Sequence, residues 1–302
     1  MNKNNILVIG SSNTDMVIKT RKIPVPGETI LGGTFFMNPG GKGANQAVAA
    51  ARLKGKVTFI TKCGIDLFGA QAMELLMKEG IDTRFVVKDN DLPSGVALIT
   101  VDSAGENSIV VAPGSNANLL QHDIPASIFR TGEYSILLMQ LEIPIATVEH
   151  CASAALVQGI KVIINPAPAQ RLSDDLLRHT WLLTPNETEA EILSGVKIQD
   201  TSSAETASLT LQKMGVKNVI ITMGAAGAYV KSDGFTGMVH CEAVKAEDTT
   251  AAGDVFNGAL AVALAEGKEL EKAVIFANKA ASISVTRLGA QSSAPYRKEI
   301  DN

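Results

Sequence analysis

The segment that says most about the fold reads Asp248-Thr249-Thr250-Ala251-Ala252-Gly253-Asp254, and an apolar run over residues 255–264 follows it directly. The apolar run predicts a buried helix whose first turn, made of small residues, is sterically open. The N–H groups of such a turn have no partner inside the helix, so they can bind an anion at the positive end of the helix dipole. Asp254 enters the same turn, where its carboxylate can accept a proton from a nearby hydroxyl. The alternative is that Asp254 only caps the helix.

A second glycine cluster stands near the start of the chain. It reads Asn38-Pro39-Gly40-Gly41-Lys42-Gly43-Ala44-Asn45-Gln46 and leads into an alanine-rich stretch of high helix propensity. The spacing is not that of a triphosphate-binding Walker loop, because Lys42 precedes Gly43 rather than Ser or Thr and no glycine stands at position 36. Glycines let a ligand lie against the main chain. The cluster therefore predicts a loop for a polyhydroxylated ligand, with a plain helix start after a Pro-Gly turn as the alternative.

Composition narrows the class of protein. The chain has 302 residues, 46% of them hydrophobic, and a net charge of −4 without any basic run longer than two residues, which argues against nucleic acid as a partner. The three cysteines are far apart, and neither they nor the four histidines form a metal-ligand pair. No apolar stretch is long enough to cross a bilayer. We expect a soluble, cytoplasmic enzyme that binds neither nucleic acid nor a membrane.

Short apolar runs alternate with longer helical patterns along most of the chain. This alternation predicts a parallel sheet with helices on both faces, in which ligands collect at the carboxyl ends of the strands. The predicted strands are residues 6–9, 57–60, 135–139, 162–165, 181–184 and 219–222; the predicted helices include 69–79, 145–158, 188–193, 204–214 and 271–285.

Two segments, residues 14–36 and 95–111, break this alternation. Both are rich in Val, Ile, Thr and Phe and have no helical period, and residues 102–106 read as a hairpin turn. We predict that they form a small separate β-sheet, either a functional unit or a pair of peripheral hairpins.

The two glycine motifs together resemble the two signatures of the ribokinase/phosphofructokinase-B-type carbohydrate kinase family. Weaker landmarks fall in family order between and after them: Gly10-Ser11-Ser12-Asn13-Thr14-Asp15, Gln140-Leu141-Glu142, Asn165-Pro166-Ala167-Pro168, Pro185-Asn186-Glu187-Thr188-Glu189, Gly224-Ala225-Ala226-Gly227 and Arg287-Leu288-Gly289-Ala290-Gln291. The resemblance implies a ribokinase-like three-layer α/β sandwich, with one kinase domain over residues 1–302. It further implies that residues 14–36 and 95–111 form a lid over the sugar and a homodimer contact.

The implied reaction is ATP-dependent phosphorylation of D-ribose at its 5-hydroxyl. Asp254 is the expected base, and the N–H groups of Ala251, Ala252 and Gly253 would stabilise the transferring phosphoryl oxygens. By resemblance, the sugar-binding residues are Asn13, Asp15, Gly41, Lys42, Gly43, Asn45, Glu142 and Asp254.

The resemblance also implies where ATP and its ions bind. The nucleotide side comprises Asn186, Glu189, Thr222, Gly224, Gly227, Gly253 and Asn278, with Glu189 acting on Mg²⁺ through water. An activating K⁺ would be held by Asp248, by the carbonyls of Thr250, Ser284, Arg287 and Gly289, and by the side chain of Ser293. A single carboxylate among neutral oxygens suits a large, weakly hydrated cation.

Other readings of the function differ in substrate or class. The same fold can phosphorylate a deoxyribose, a ketohexose or a nucleoside instead. A catalytically silent sugar-binding regulator is a further alternative, although both Asp254 and Gly253 are present. A nucleotide-binding oxidoreductase is disfavoured because no Gly-x-Gly-x-x-Gly follows a predicted strand.

Overall fold

The computed structural model describes residues 5–130 and 132–301, so the outermost residues of the predicted 1–302 domain lie outside it. The strands, in chain order, are β1 (Asn5–Ile9), β2 (Asn13–Lys19), β3 (Thr34–Gly40), β4 (Lys56–Ile60), β5 (Lys62–Gly64), β6 (Val87–Asp89), β7 (Gly95–Val101), β8 (Asn107–Ala112), β9 (Tyr134–Met139), β10 (Lys161–Ile164), β11 (Leu182–Leu183), β12 (Asn218–Thr222), β13 (Ala228–Lys231) and β14 (Thr236–Val239). The helices are α1 (Lys42–Arg52), α2 (Leu67–Lys78), α3 (Ile145–Val157), α4 (Asp174–His179), α5 (Glu187–Ser194), α6 (Thr201–Lys213), α7 (Ala252–Ala265), α8 (Leu270–Ser284) and α9 (Arg297–Ile300).

The main sheet has eight strands in the order β14-β13-β12-β11-β10-β9-β1-β4. Strands β12, β11, β10, β9, β1 and β4 pair in parallel, whereas β13 and β14 pair antiparallel at one side of the sheet. Within β1, Ile6 and Val8 join the buried cluster under α1, α7 and α8, while Leu7 and Ile9 join the cluster under α3 and α6. Successive side chains of a strand point to opposite faces, so both faces are covered. The predicted three-layer α/β sandwich is confirmed.

A separate four-stranded sheet, in the order β3-β2-β7-β8, stands apart from the main one. It contains the predicted hairpin, since β7 and β8 pair antiparallel around residues 102–106. The first predicted segment is less regular than expected, because residues 20–33 form no strand. This stretch contains Pro24 and Pro26, which lack the N–H that a strand ladder needs, and its glycines at 27, 32 and 33 have positive φ angles.

The carboxyl ends of the main strands meet at one edge. Asn13 follows β1, Glu142 follows β9, Asn165 follows β10, Asn186 follows β11 and Gly224 follows β12. The chain between β14 and α7 brings Asp254 to the same edge, next to α1. None of the helices in the described part of the chain has both the length and the apolar character of a membrane span.

Candidate active site

The first turn of α7 is open, as its small residues predict. Ala251 precedes the helix with a φ angle of 59°, in the left-handed region that residues with a Cβ seldom adopt. A Cβ built on Gly253 would meet no heavy atom within 4 Å, so this side of the turn faces open space. The N–H of Ala252 donates to the carbonyl of Thr249 at 3.2 Å and would have to leave that contact to bind a ligand. A left-handed residue followed by an open glycine produces a concave turn suited to an anion.

Asp254 is buried in this turn and is held by two amides from α1. Its Oδ2 accepts from Asn45 Nδ2 at 2.9 Å, and its Oδ1 accepts from Gln46 Nε2 at 2.9 Å. Asp254 therefore does not cap its own helix, and no side chain caps α7 at Ala251. Burial raises the pKa of Asp254 above its ordinary value, although Lys42 and the two amides offset part of that rise.

Two glycines at the start of α1 allow the chain to pack closely. Gly41 has a φ angle of 87°, and a Cβ on it would lie 2.6 Å from the backbone nitrogen of Asn13. A Cβ on Gly43 would lie 2.6 Å from the nitrogen of Ser11. Both are shorter than any real contact, so the loop can approach the β1–β2 connection only with glycine at these positions.

Hydrogen bonds from other segments hold the start of α1 and the β1–β2 connection in place. Glu142 Oε2 accepts from the Lys42 N–H at 3.0 Å and from Ser11 Oγ at 2.5 Å. Asn13 Oδ1 accepts from Asn116 Nδ2 at 2.7 Å. Ser11 and Asn116 were not predicted from the sequence; Ser11 lies inside the first landmark motif, whereas Asn116 follows β8 without any motif to mark it. Both orient residues expected to bind sugar.

Acidic side chains gather around Lys42. Burial, with the nearby carboxylates of Glu142 and Asp254, raises the pKa of Asp15 to about 6. Burial works against the charge of Lys42, but Asp254, Glu142 and Glu189 raise its pKa above the ordinary value. Lys42 is therefore a fixed positive charge among carboxylates.

One acceptor in this cluster lacks a partner. Asn45 Oδ1 is buried and makes no hydrogen bond, while its Nδ2 is used by Asp254. A buried acceptor without a partner costs about 1–3 kcal/mol, which a ligand hydroxyl would recover. Asn45 therefore fits a site for a polyhydroxylated molecule.

Most residues expected on the nucleotide side follow β11 and β12, whereas Gly253 lies in α7 and Asn278 in α8. Asn186 and Glu189 form a reciprocal cap at the start of α5: Asn186 Oδ1 accepts from the Glu189 N–H at 2.8 Å, and Glu189 Oε2 accepts from the Asn186 N–H at 2.9 Å. Burial raises the pKa of Glu189, against the lowering effects of the Asn186 N–H and Lys42. Asn186 also pairs with Thr222 in an isolated β-bridge, so these two residues are adjacent.

The glycines after β12 differ from each other. Gly224 has no heavy atom within 4 Å of an added Cβ and faces open space, whereas a Cβ on Gly227 would lie 2.2 Å from the Val239 carbonyl oxygen. Asn278 Nδ2 donates to that same carbonyl at 2.9 Å. Asn278 thus holds the end of β14 against α8, Gly227 lets its loop approach the same strand end, and Gly224 is the open position of this loop.

The two loops expected to hold K⁺ are in contact. Asp248 Oδ1 accepts from the Thr250 N–H at 2.9 Å, and its Oδ2 accepts from the Gly289 N–H at 2.8 Å. Burial works against the charge of Asp248, but these hydrogen bonds lower its pKa, so it stays ionised. Ser293 is buried and its Oγ donates to the Ala290 carbonyl; the Ser284 carbonyl accepts from the Arg287 N–H. Asp248 therefore joins the loop before α7 to the loop after α8 through main-chain N–H groups.

Comparisons with known proteins concern the chain and its fold as a whole. The sequence model of the "pfkB family carbohydrate kinase" matches residues 3–297. A ribokinase of Haemophilus influenzae is 46% identical over 97% of this chain and 96% of its own length; a deoxyribokinase of Salmonella typhi is 38% identical over 96% and 95%. The ribokinase structure from Thermotoga maritima has a TM-score of 0.90 at 44% identity, covering 98% of both chains. That of Arabidopsis thaliana ribokinase with ribose and ATP has a TM-score of 0.89 at 33% identity, covering 98% of this chain and 97% of the other.

Proposed function

The chain belongs to the pfkB family of carbohydrate kinases, and from that membership we propose that it transfers the γ-phosphoryl group of ATP to the 5-hydroxyl of D-ribose, giving D-ribose 5-phosphate and ADP. The observation that carries the proposal is the contact between Asp254, in the open turn of α7, and Asn45, in the first turn of α1 after the glycine cluster. It joins a base, an anion cradle and a hydroxyl-binding loop in one place. The similarity to ribokinases, one of them solved with ribose and ATP, supports ribose as the acceptor.

Asp254 would act as the general base. It takes the proton of the 5-hydroxyl while the sugar oxygen forms its bond to the γ-phosphorus, and the bond from that phosphorus to the bridging oxygen of ADP breaks. The N–H groups of Ala251, Ala252 and Gly253 would stabilise the charge on the transferring phosphoryl oxygens. The raised pKa of Asp254 makes it a better proton acceptor than an exposed carboxylate.

The sugar would lie between the small sheet and the α1 loop. We assign its hydroxyls to Asn13, Asp15, Asn45 and Glu142, to the backbone at Gly41 and Gly43, and to Lys42. Glu142 uses only Oε2 in its contacts with Ser11 and Lys42, so Oε1 can accept from a hydroxyl. The small sheet over residues 14–36 and 95–111 would act as the lid of a single kinase domain.

ATP would extend from the α7 turn past Thr222 and Asn186 toward the open Gly224. Gly227 and Asn278 would shape the part of the site that holds the adenine. Glu189 would orient Mg²⁺ through water, and the ion would neutralise charge on the phosphates. Asp248 and the carbonyls around it would hold K⁺ and so fix the 250–253 turn. We also propose a cytoplasmic location, because all three cysteines are free thiols.

Deoxyribose is the strongest alternative acceptor, since a deoxyribokinase matches the chain nearly as fully as the ribokinases do. The two sugars differ by the 2-hydroxyl alone. A site built to hydrogen-bond that hydroxyl would reject the deoxy sugar strongly, because its polar groups would be left unpaired.

A panel of D-ribose, 2-deoxy-D-ribose, D-fructose and adenosine with Mg·ATP, scored by ADP release, tests the proposal. We expect the highest kcat/KM with D-ribose. Asp254→Asn should lower kcat by about 10²–10⁴-fold. Asp200→Asn is the matched control, because Asp200 caps α6 on the surface and should leave kcat unchanged. A higher kcat/KM for another compound would refute ribose as the substrate, and an active Asp254→Asn enzyme would refute the base.

A further inference from the structure

Buried side-chain amides from other elements connect to Asp254. Gln46 Nε2 donates to Asp254 Oδ1 at 2.9 Å and to Asn165 Oδ1 at 3.0 Å, and Gln46 Oε1 accepts from Gln140 Nε2 at 2.6 Å. Gln46 and Gln140 have no solvent exposure, and Asn165 has almost none. A glutamine without solvent exposure contacts no sugar or nucleotide from the open side of the site.

The orientation of these amides is dictated by the backbone. Asn165 Nδ2 donates to the carbonyl of Thr184 at 3.2 Å, and a backbone carbonyl can only accept. Asn165 must therefore turn its Oδ1 to Gln46. Gln46 in turn must present its Nε2, which has two hydrogens, to both Asn165 and Asp254. Thr184 at the end of β11 thus determines which atom of Gln46 faces the carboxylate.

The same network returns to the helix that bears Asp254. Thr184 Oγ1 donates to Asn257 Oδ1 at 2.6 Å, and Asn257 Nδ2 donates to the Gly253 carbonyl at 2.8 Å. The carboxylate and the turn beside it are therefore both tied to the end of β11. Linked hydrogen bonds in a buried, low-dielectric region strengthen one another.

We infer that Gln46 is a positioning residue of phosphoryl transfer: it holds Oδ1 of Asp254, so that Oδ2, beside Asn45, faces the acceptor hydroxyl. Asn45 and Gln46 are neighbours in α1, and each binds one oxygen of the same carboxylate. The Oδ1 of Asn45 is left without a partner, whereas both amide hydrogens and the oxygen of Gln46 are used within the protein. The inference rests on the proposed role of Asp254 as base.

Gln46 should also keep Asp254 ionised. The charged groups that face Asp254 are Lys42 from α1, Glu142 after β9, Asp15 from β2 and Glu189 from α5; only Lys42 favours the ionised form. A donor to the charged form of a carboxyl lowers its pKa, so removing that donor raises the pKa. Gln46 acts here against burial and three negative neighbours.

Gln46→Met tests the inference, because methionine keeps the length and unbranched shape of the side chain without its donor. The enzyme is labelled with ¹³C at aspartate Cγ, and the spectrum of Asp254→Asn identifies the Asp254 signal. We expect its titration midpoint to rise by about one pH unit in Gln46→Met. Gln46→Asn shortens the side chain by one methylene and should raise the Asp254 midpoint by a smaller amount. It replaces Gln46→Met as the test variant if the methionine variant does not fold. An unchanged midpoint in the folded variant overturns the inference.

Thr147→Val is the matched control for the loss of a buried hydrogen bond. Thr147 is buried in α3 and its Oγ1 donates to the Leu119 carbonyl at 2.8 Å, away from the network. It should lose stability without moving the Asp254 midpoint.

Kinetics separate positioning from sugar binding. Near pH 7 we expect Gln46→Met to lower kcat by about 10-fold or more, with KM for D-ribose unchanged within about 3-fold. A raised KM with normal kcat would instead place Gln46 in sugar binding and overturn the inference. The two hypotheses fail in different experiments. If Asp254 is not the base, the Asp254→Asn enzyme turns over, whatever the Gln46 variants do.

Discussion

At Asp15, the stability of the fold and the binding of sugar make opposite demands on one side chain. It is the second residue after Asn13 in β2, and its carboxylate lies where a Cβ on Gly40 would approach within 2.3 Å. Burial raises the pKa of Asp15 to about 6, so the folded protein resists the ionised form. Sugar binding needs that ionised form, because both oxygens then accept hydroxyls.

This conflict predicts that Asp15→Asn stabilises the protein while weakening sugar binding. In the unfolded chain Asp15 ionises near pH 3.8, and in the folded chain near 6. Between these values the folded state binds more protons, so stability falls as pH rises toward 6, and the penalty persists above it. We expect Asp15→Asn to be about 2–3 kcal/mol more stable than wild type at pH 7.5 and nearly equal at pH 4, by urea unfolding.

The exposed Asp200 gives the contrasting case. Its hydrogen bonds with Ser203 lower its pKa, so its contribution to stability is present at neutral pH and is lost as pH falls. Asp200→Asn should therefore bring no stabilisation at pH 7.5. If Asp15→Asn were no more stable than wild type at that pH, the pKa of Asp15 would not be raised in the folded protein.

At this scale the sequence predicted many of the site residues but not the buried side chains that hold them in place. Asp254 and Asn45 were both expected, and the structure brings them to 2.9 Å. Gln46 is next to Asn45, yet successive helix residues point about 100° apart, so the sequence alone does not tell that both reach one carboxylate. The glycines at 41 and 43 show a second limit, because a sequence does not reveal which way the missing side chain would point.

At the scale of elements, the parallel strands of the main sheet were easier to predict than its two antiparallel strands. Residues 6–9, 57–60, 135–139 and 219–222 form strands within one residue of the predicted bounds, because each is an apolar run closed by a polar or turn residue. The predicted strand at 181–184 is reduced to Leu182–Leu183. The antiparallel strands β13 and β14 were missed, since four-residue segments with a glycine in one of them have too little periodicity to be recognised.

The end of α1 offers a prediction about local strain. Lys54 has a φ angle of 71°, and the N–H groups of Lys54 and Gly55 donate to the carbonyls of Ala51 and Ala50. This is a Schellman ending, in which glycine is preferred at the left-handed position. We expect Lys54→Gly to raise the free energy of unfolding by about 1 kcal/mol, measured by urea titration.

Gly195 at the end of α5 provides the reverse substitution. Its φ angle is 73°, and a Cβ on it would contact nothing within 4 Å. Gly195→Ala should therefore destabilise the protein by about 1 kcal/mol through backbone conformation alone. Equal stability of Lys54→Gly and wild type would show that the lysine side chain compensates for the strain.

The loops before α7 and after α8 predict an effect of K⁺. The N–H groups of Glu247 and Asp248 donate to the Val285 carbonyl at 2.8 and 3.2 Å, and Asp248 accepts from the Gly289 N–H, so the two loops are hydrogen-bonded to each other. A cation among their oxygens would fix the Thr250–Gly253 turn that faces the phosphoryl group. Turnover should rise when K⁺ replaces Na⁺ or Tris at equal ionic strength, and Asp248→Ala should abolish the difference. Identical rates in all three buffers would remove the cation from the mechanism.

At the scale of the whole molecule, the small sheet has two unlike faces. Asp15 and its cross-strand neighbours Asn38 and Ala97 share one face, and the next residue, Met16, points to the other. Met16 lies in a row with Met37, Leu98 and Val110 across four strands. Leu98 is 55% exposed and Val110 65%, so this row is an apolar surface on the side opposite Asp15.

An exposed apolar row of this kind predicts that two chains associate through their small sheets. Contiguous apolar surface is seldom left in water by a soluble protein, and a second copy of the same row would cover it. We expect wild type to have the mass of two chains by light scattering at micromolar concentration, and the double variant Leu98→Asp, Val110→Asp to have the mass of one. Leu156→Asp, at an α3 position 49% exposed, is the matched control and should remain dimeric. A monomeric wild type would contradict the prediction, and so would a dimeric double variant, because two buried carboxylates facing their copies could not be accommodated at that interface.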